Sequence, residues 1–491
     1  MQKRSIIKGR CILTAVVVLA VVLLSVLLLQ TQGSAGARAL GAAQALNDYQ
    51  FDLKFLPDDS LLNVTMTLDY RNDTGDTLSS LVLRTWANAY QAEEYSPAAI
   101  DELYDACYPD GFSAGSLTLE GVWWNDRIVT DHAYLDPAQT VLQIPIDPLA
   151  PGSAGTLLLR CRIRVPQCAH RFGKSGGVWQ FGNALPILSV YENGSWQQDA
   201  YCPIGDPFVS ECANYTVSLI LPDGWQCAAG AKAVKDGSLL RMYAPAARDF
   251  AFALSQDWHV AEEKVGGVTV TAFSADKEGA RRAARYAAKA IKTYSSLYGE
   301  YPYAHLTICE ADFPLGGMEY PGFILIDDGY FYKDWVDTLE LLIAHETAHQ
   351  WFYALVGSDQ YNAAWQDEAL SEWAMLRYVK ARYGQSAYEN LLWSRIHAPM
   401  QENILSPVTP GSPIDYFGSY SDYSAVVYGR GAALLLAIEE MTGKADDFLC
   451  AYCDRFAFRL AKPEDFTLCL NEWSGMDLSP LILDYIDTYM N

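Results

Sequence analysis

The residues best placed to do chemistry in this 491-residue chain are His345-Glu346-Thr347-Ala348-His349. On a helix, residues four apart share a face, so both imidazoles reach a single cation. Glu346 stands between them, set to take a proton from a water polarised by that cation. Zinc that activates water takes three protein ligands and keeps one position open. Glu368 is the candidate third ligand, eighteen residues beyond His349 in the stretch Asp367-Glu368-Ala369-Leu370-Ser371-Glu372-Trp373. One Zn2+ per chain is expected, held by His345, His349 and Glu368.

Two elements must hold these ligands. The pattern of Leu339, Leu342, Ile343 and Leu355 predicts a helix capped by Asp337 or Thr338 and ended by Gly357. Polar residues Ser358, Asp359, Gln360 and Asn362 then let a second helix fold back with Glu368. A buried helix that carries this pattern by accident accounts for the two histidines but not for Glu368.

Around this site the chain changes character. Residues 31–46 read as a Gly-, Ala- and Gln-rich linker, and residues 47–258 as an all-β domain. The all-β reading rests on alternation in 63–70, 157–165 and 215–221 and on turn residues such as Asn72, Asp73, Gly75 and Pro222-Asp223-Gly224. Residues 259–491 read as an α+β domain that carries the metal site: a strand at 268–273, a helix over 275–298, a strand at 301–310, and helices almost throughout from 334.

Composition sets the outer bounds. A hydrophobic fraction of 51% fits a folded, multidomain chain. A net charge of -24 argues against nucleic acid and against anionic membrane surfaces as partners. At the N-terminus, Lys3, Arg4, Lys8 and Arg10 precede an uncharged run from Cys11 to Leu29. Its length, roughly 28 Å as a helix, matches a bilayer core. Residues 1–30 are therefore expected to be a cytoplasmic stub and signal-anchor transmembrane helix, with the working domain extracytoplasmic, or secreted if cleavage occurs near Ser34–Ala37. Ten cysteines follow Cys11, and Cys161 with Cys168 and Cys202 with Cys212 are spaced for local bridges. The Cys450/Cys453 pair lies in a helical pattern and reads as structural. Asn63, Asn72, Asn193 and Asn214 stand in glycosylation sequons.

Two more constellations bear on the reaction. Leu315-Gly316-Gly317-Met318-Glu319-Tyr320-Pro321-Gly322 follows a strand, and its glycines let backbone approach a substrate while Glu319 receives a cationic group. Tyr428, in Tyr428-Gly429-Arg430-Gly431-Ala432, is a candidate hydrogen-bond donor to an oxyanion.

In their order along the chain these motifs resemble the membrane alanyl aminopeptidases, the gluzincins that include aminopeptidase N and leukotriene hydrolase. Tyr298-Gly299-Glu300-Tyr301-Pro302-Tyr303 and Asp249-Phe250-Ala251-Phe252 are similar as well. The resemblance implies a saddle-like β domain followed by a thermolysin-like catalytic domain. It implies that Glu346 is the general base, that Glu319 holds the free α-amino group of a peptide with Gly316, Gly317 and Met318 beside it, and that Tyr428 steadies the tetrahedral intermediate. Asp367 stands where the family usually has asparagine, Arg430 where it has lysine, and Tyr320 where its best-known members have asparagine. The residue that shares the amine with Glu319 has no match; Glu192 and Glu211 are candidates by region. The family often adds a large C-terminal helical domain, so a chain ending at 491 is expected to have a more open cleft. Two alternatives stay open: an endopeptidase on the same scaffold, and a non-catalytic binding protein using the β domain.

Overall fold

Alternation in residues 63–70 becomes the strand Leu61–Arg71, whose even-numbered side chains from Leu62 to Tyr70 are all buried. The computed structural model describes residues 36–488 apart from 333, 335 and 403–406. Leu61–Arg71 lies inside an eight-stranded sheet, antiparallel to Asp48–Leu56 on one side and to Ala154–Arg164 on the other. Asp48–Leu56 in turn runs parallel to Ala213–Ile220. Two four-stranded sheets and a two-stranded one (Tyr191–Glu192 with Ser195–Trp196) complete the β-rich N-terminal region, and Phe51, Met66, Leu68, Leu159 and Val217 are wholly buried in its core.

A five-stranded sheet then follows, in the order His259–Val265, Val268–Ser274, His305–Ala311, Phe323–Asp327, Gly317–Met318. Its inner strands are parallel, which requires a crossover. The helix Lys277–Tyr298 supplies it. Asp276 caps that helix by accepting from the backbone N–H groups of Glu278 and Gly279, and its alanine face (Ala280, Ala283, Ala287, Ala290) is buried. The following strand begins at His305, not at 301, because Tyr301 and Tyr303 turn inward as core residues. Beyond Val336 the described residues are mostly helical, with short strands only at Val356–Gly357 and Arg459–Leu460. The protein is thus a multidomain chain, β-rich and then helical.

The metal-site helix departs from expectation at both ends. It runs Val336–Ala348, so Asp337 and Thr338 lie in its first turn instead of capping it. It tapers before Gly357 into tight turns closed by Ala354 N–H to His349 O (2.9 Å) and Val356 N–H to Trp351 O (3.0 Å). Gly357 has another task. A Cβ there would lie 2.3 Å from Cζ of Arg248. That buried guanidinium donates to the carbonyls of Tyr353 (2.7 Å), Ser210 (3.0 Å), Arg459 (2.8 Å) and Leu355 (3.4 Å), tying the β region to the chain that leaves the metal-site helix.

Three other expectations meet the structure here. The ten described cysteines are free thiols. Cys161 faces the core from within the strand Ala154–Arg164, whereas Cys168 lies past its end, within hydrogen-bonding reach of Cys107. Of the sequons, Asn72 and Asn214 are buried, their side-chain amides donating to Leu149 O and Asp76 O and to Ala43 O and Asp48, so neither can carry a glycan in the folded state. The apolar run 11–29 lies outside the described residues, among which no helix is long and apolar enough to cross a membrane.

Candidate active site

The helices Val336–Ala348 and Trp365–Tyr383 cross so that three donor atoms meet. His345 Nε2 and His349 Nε2 are 3.1 Å apart, and Glu368 Oε2 lies 3.3 and 3.4 Å from them. Tetrahedral ligands at Zn–N and Zn–O distances of 2.0–2.1 Å are separated by about 3.3 Å, so the spacing fits zinc.

The outer nitrogens make the same case. His349 Nδ1 contacts Asp367, and His345 Nδ1 lies 3.3 Å from Glu372. Carboxylates there put the ring protons on Nδ1, which leaves two Nε2 lone pairs facing one another and needing a cation between them. Gln360 donates to the far oxygen of Asp367, and Arg395 engages Glu372 at 2.7 and 3.0 Å. Asp367, the departure before the third ligand, is therefore the partner that fixes the tautomer of His349.

Glu346 is 5% exposed, and burial pushes its carboxyl up to about 7 against the pull of the imidazoles. Its Oε1 fills the space beside Gly317, where a Cβ would come within 2.3 Å. Gly317 and Glu319 both line the cleft, a cavity of about 410 Å³. The other two loop residues do not. Gly316 makes the turn at φ +95°, and Met318 points inward, its Sδ 3.2 Å from Nε of Arg171. Gln350, next to the second histidine, pins this loop: it accepts from Gly322 N–H (2.8 Å) and donates to Tyr320 O (3.2 Å). Tyr320 is buried toward the β region, with its hydroxyl in the space that Gly182 leaves open.

The second acidic group near Glu319 is neither Glu192, which pairs with Lys462, nor Glu211, which sits near Arg248; neither lines the cleft. It is Asp206. Carboxylate oxygens of Asp206, Glu319 and Glu368 lie within 4.8 Å of one another. Arg171 donates to Asp206 and, at 3.3 Å, to Gly205 O, which fixes the aspartate, while Oε1 of Glu319 has no protein partner among the described residues. In the sequence Asp206 is one acid among many in a turn-rich segment, and the Gly205-Asp206-Pro207 turn was its only signal. Tyr428 completes the site from a π-helical segment, Ser424–Arg430. Its ring stacks on His345 at 5.6 Å, and burial with the nearby Glu368 charge holds its hydroxyl protonated, as a donor must be. A larger groove of about 670 Å³, between 54–59 and 220–225, holds no such convergence of ligating groups.

Residues 282–487 match the peptidase family M1 domain. That stretch, less than half of the chain, is similar to the M1 peptidases. Its relatives include aminopeptidase M1-A of Oryza sativa subsp. japonica, 27% identical over 187 residues, which cover 35% of this chain and 21% of that one. Endoplasmic reticulum aminopeptidase 2 of Homo sapiens is 27% identical over 237 residues, 45% of this chain and 24% of that one. This chain thus spans a quarter or less of the length of these two relatives. The M1 zinc metallopeptidase of Deinococcus radiodurans shares the fold, at a TM-score of 0.62 and 16% identity over 91% of this chain and 94% of that one. Zinc is the cofactor that the donor set of this chain fits.

Proposed function

We propose that this protein is a zinc-dependent aminopeptidase that removes N-terminal residues from peptides. His345, His349 and Glu368 would hold the ion; when bound, zinc polarises the scissile carbonyl and lowers the pKa of water at the open position. Glu346 takes the proton from the attacking water and delivers it to the departing amine, a role suited to a carboxyl near neutrality. Tyr428 donates its hydroxyl to the carbonyl oxygen as negative charge develops there. Glu319 and Asp206 receive the α-ammonium, and Arg171 orients Asp206.

The observation that carries this reading is the buried pair Glu319–Asp206 beside the metal ligands. An ammonium is what two desolvated carboxylates with an unpaired oxygen require, and it registers the first peptide bond on the metal. The names of the relatives agree with it. The apolar run 11–29, preceded by basic residues, supports a membrane anchor with the catalytic part extracytoplasmic, or a secreted form after cleavage.

The test is hydrolysis of one fluorogenic peptide with a free or an acetylated N-terminus, each with and without chelator. Cleavage of the free form alone, abolished by chelator, is expected. Equal cleavage of both would favour the endopeptidase, and cleavage of neither by zinc-loaded protein would favour a binding protein.

A further inference from the structure

The two imidazoles divide the cleft into unlike halves. On the His349 side lie Asp367, Glu319 and Asp206. On the His345 side lie Glu372, Arg395 and Tyr428. One half is therefore strongly anionic, and the other presents a guanidinium.

Two arginines line the cleft among its described residues, and only one is available. Arg171 is buried, its side chain 4% exposed: Nη2 is on Asp206 and Gly205 O, and Nη1, although without a partner, lies enclosed. The Arg395 side chain is 42% exposed, although its partner Glu372 is fully buried. Nε and Nη2 of Arg395 hold Glu372, and Nη1 has no hydrogen-bond partner among the described residues. An arginine has five N–H donors in a planar fork, so a second carboxylate can dock while the first stays bound. The residue sits in a π-helical segment, Trp393–His397, and Leu341, Leu342, Met375 and Leu391 supply apolar wall to the same cavity.

The geometry points to Arg395 as the anchor for the C-terminal carboxylate of short peptide substrates, chiefly dipeptides and tripeptides. This rests on the aminopeptidase reading and deepens it: the cleft is charged at opposite ends, as a zwitterionic peptide is. Glu372 is then shared between two tasks, backing His345 and holding the fork in place.

The experiment compares kcat/KM for Ala-Ala, Ala-Ala amide, Ala-Glu amide and an alanyl coumarin amide, using zinc-loaded full chain, Arg395→Gln and Arg395→Lys. Zinc content is measured in each. The expected result is a preference of about tenfold or more for Ala-Ala over its amide, the size of one charge-assisted hydrogen-bonded contact. That ratio falls to near one in Arg395→Gln and takes an intermediate value in Arg395→Lys. Taking the ratio within each protein cancels any general loss from disturbing Glu372. A ratio near one in the natural protein, or a ratio unchanged in Arg395→Gln, overturns the assignment. So does an Arg395-dependent preference for Ala-Glu amide without one for Ala-Ala, since the carboxylate would then belong to a side chain. If zinc-loaded protein leaves the coumarin amide intact, the aminopeptidase reading falls, and this inference with it.

Discussion

Tyr428 and Gly317 both line the cleft beside the converging donors, and each can be tested by moving very few atoms. Tyr428→Phe removes the hydroxyl and keeps the ring stacked on His345. Loss of one oxyanion donor is worth about 3–4 kcal/mol, so kcat should fall by roughly a hundred- to a thousandfold. Zinc content should not change, because the three converging donors of His345, His349 and Glu368 all remain; full activity with full zinc would remove Tyr428 from the reaction. Gly317→Ala is the complementary case. The new methyl would overlap the end of the Glu346 side chain, which can swing away, so the fold survives while the base is displaced. Thermal stability near that of the natural protein with activity down at least about tenfold is expected. Activity within twofold would mean that Glu346 works from another rotamer. That His345, Glu346, His349, Glu368 and Tyr428 meet in one cleft was legible in the sequence because their signal is local, residue types at fixed spacings. Asp206 and Arg395 were not, because folding brings them to the site from distant segments and little in their own neighbourhoods distinguishes them.

At the scale of elements, the metal would join two helices that also pack on each other, His345 within one and His349 one residue past its end, with Glu368 on the other. Stripping the ion leaves facing lone pairs and buried carboxylates. A ligand at a thousand times its Kd adds about 4 kcal/mol to the folded state, so chelator should lower Tm and zinc should restore it. Asp367→Asn refines this. Losing the carboxylate behind His349 should weaken zinc binding by about ten- to a hundredfold, read by competition with a chromogenic chelator. Undiminished affinity would mean that Asp367 only packs. The elements themselves were readable where burial is periodic, as in Leu61–Arg71 and Lys277–Tyr298. They were misread where tertiary contacts decide an end. The metal-site helix stops early because its continuation is held in turns by Arg248, and Gly357 is small for that guanidinium's sake. The cysteine pairs misled for the same reason: closeness in sequence said nothing of which faces the strand would turn inward.

For the molecule as a whole, the β region and the catalytic region meet along a seam where Arg248 reaches across and its neighbour Asp249 is buried within the β side. Asp249 is 3% exposed; it accepts from Asn183 Nδ2 (2.9 Å) and from Phe250 N–H (2.6 Å), yet burial outweighs both and pushes its carboxyl up to about 7. The sign of the linkage follows. An aspartate near 4 in the unfolded chain and near 7 in the folded one is protonated in both states at low pH, and its stabilising contribution is then complete. Between about pH 4 and 7 the folded state keeps a proton that the unfolded state has lost, so stability declines as pH rises, by on the order of 4 kcal/mol in all. Above 7 the decline stops. Asp249→Asn should erase this term, because an amide does not ionise. It can also be accommodated: Asn183 Oδ1 has no partner among the described residues, and turning that amide over presents an acceptor to the new one. Urea midpoints for both proteins between pH 4.5 and 8 should therefore diverge, the variant gaining on the natural chain as pH rises to 7 and holding its lead beyond. A difference that stays constant over that range would show that the folded protein ionises Asp249 as readily as the unfolded chain does, and that the seam carries no buried proton.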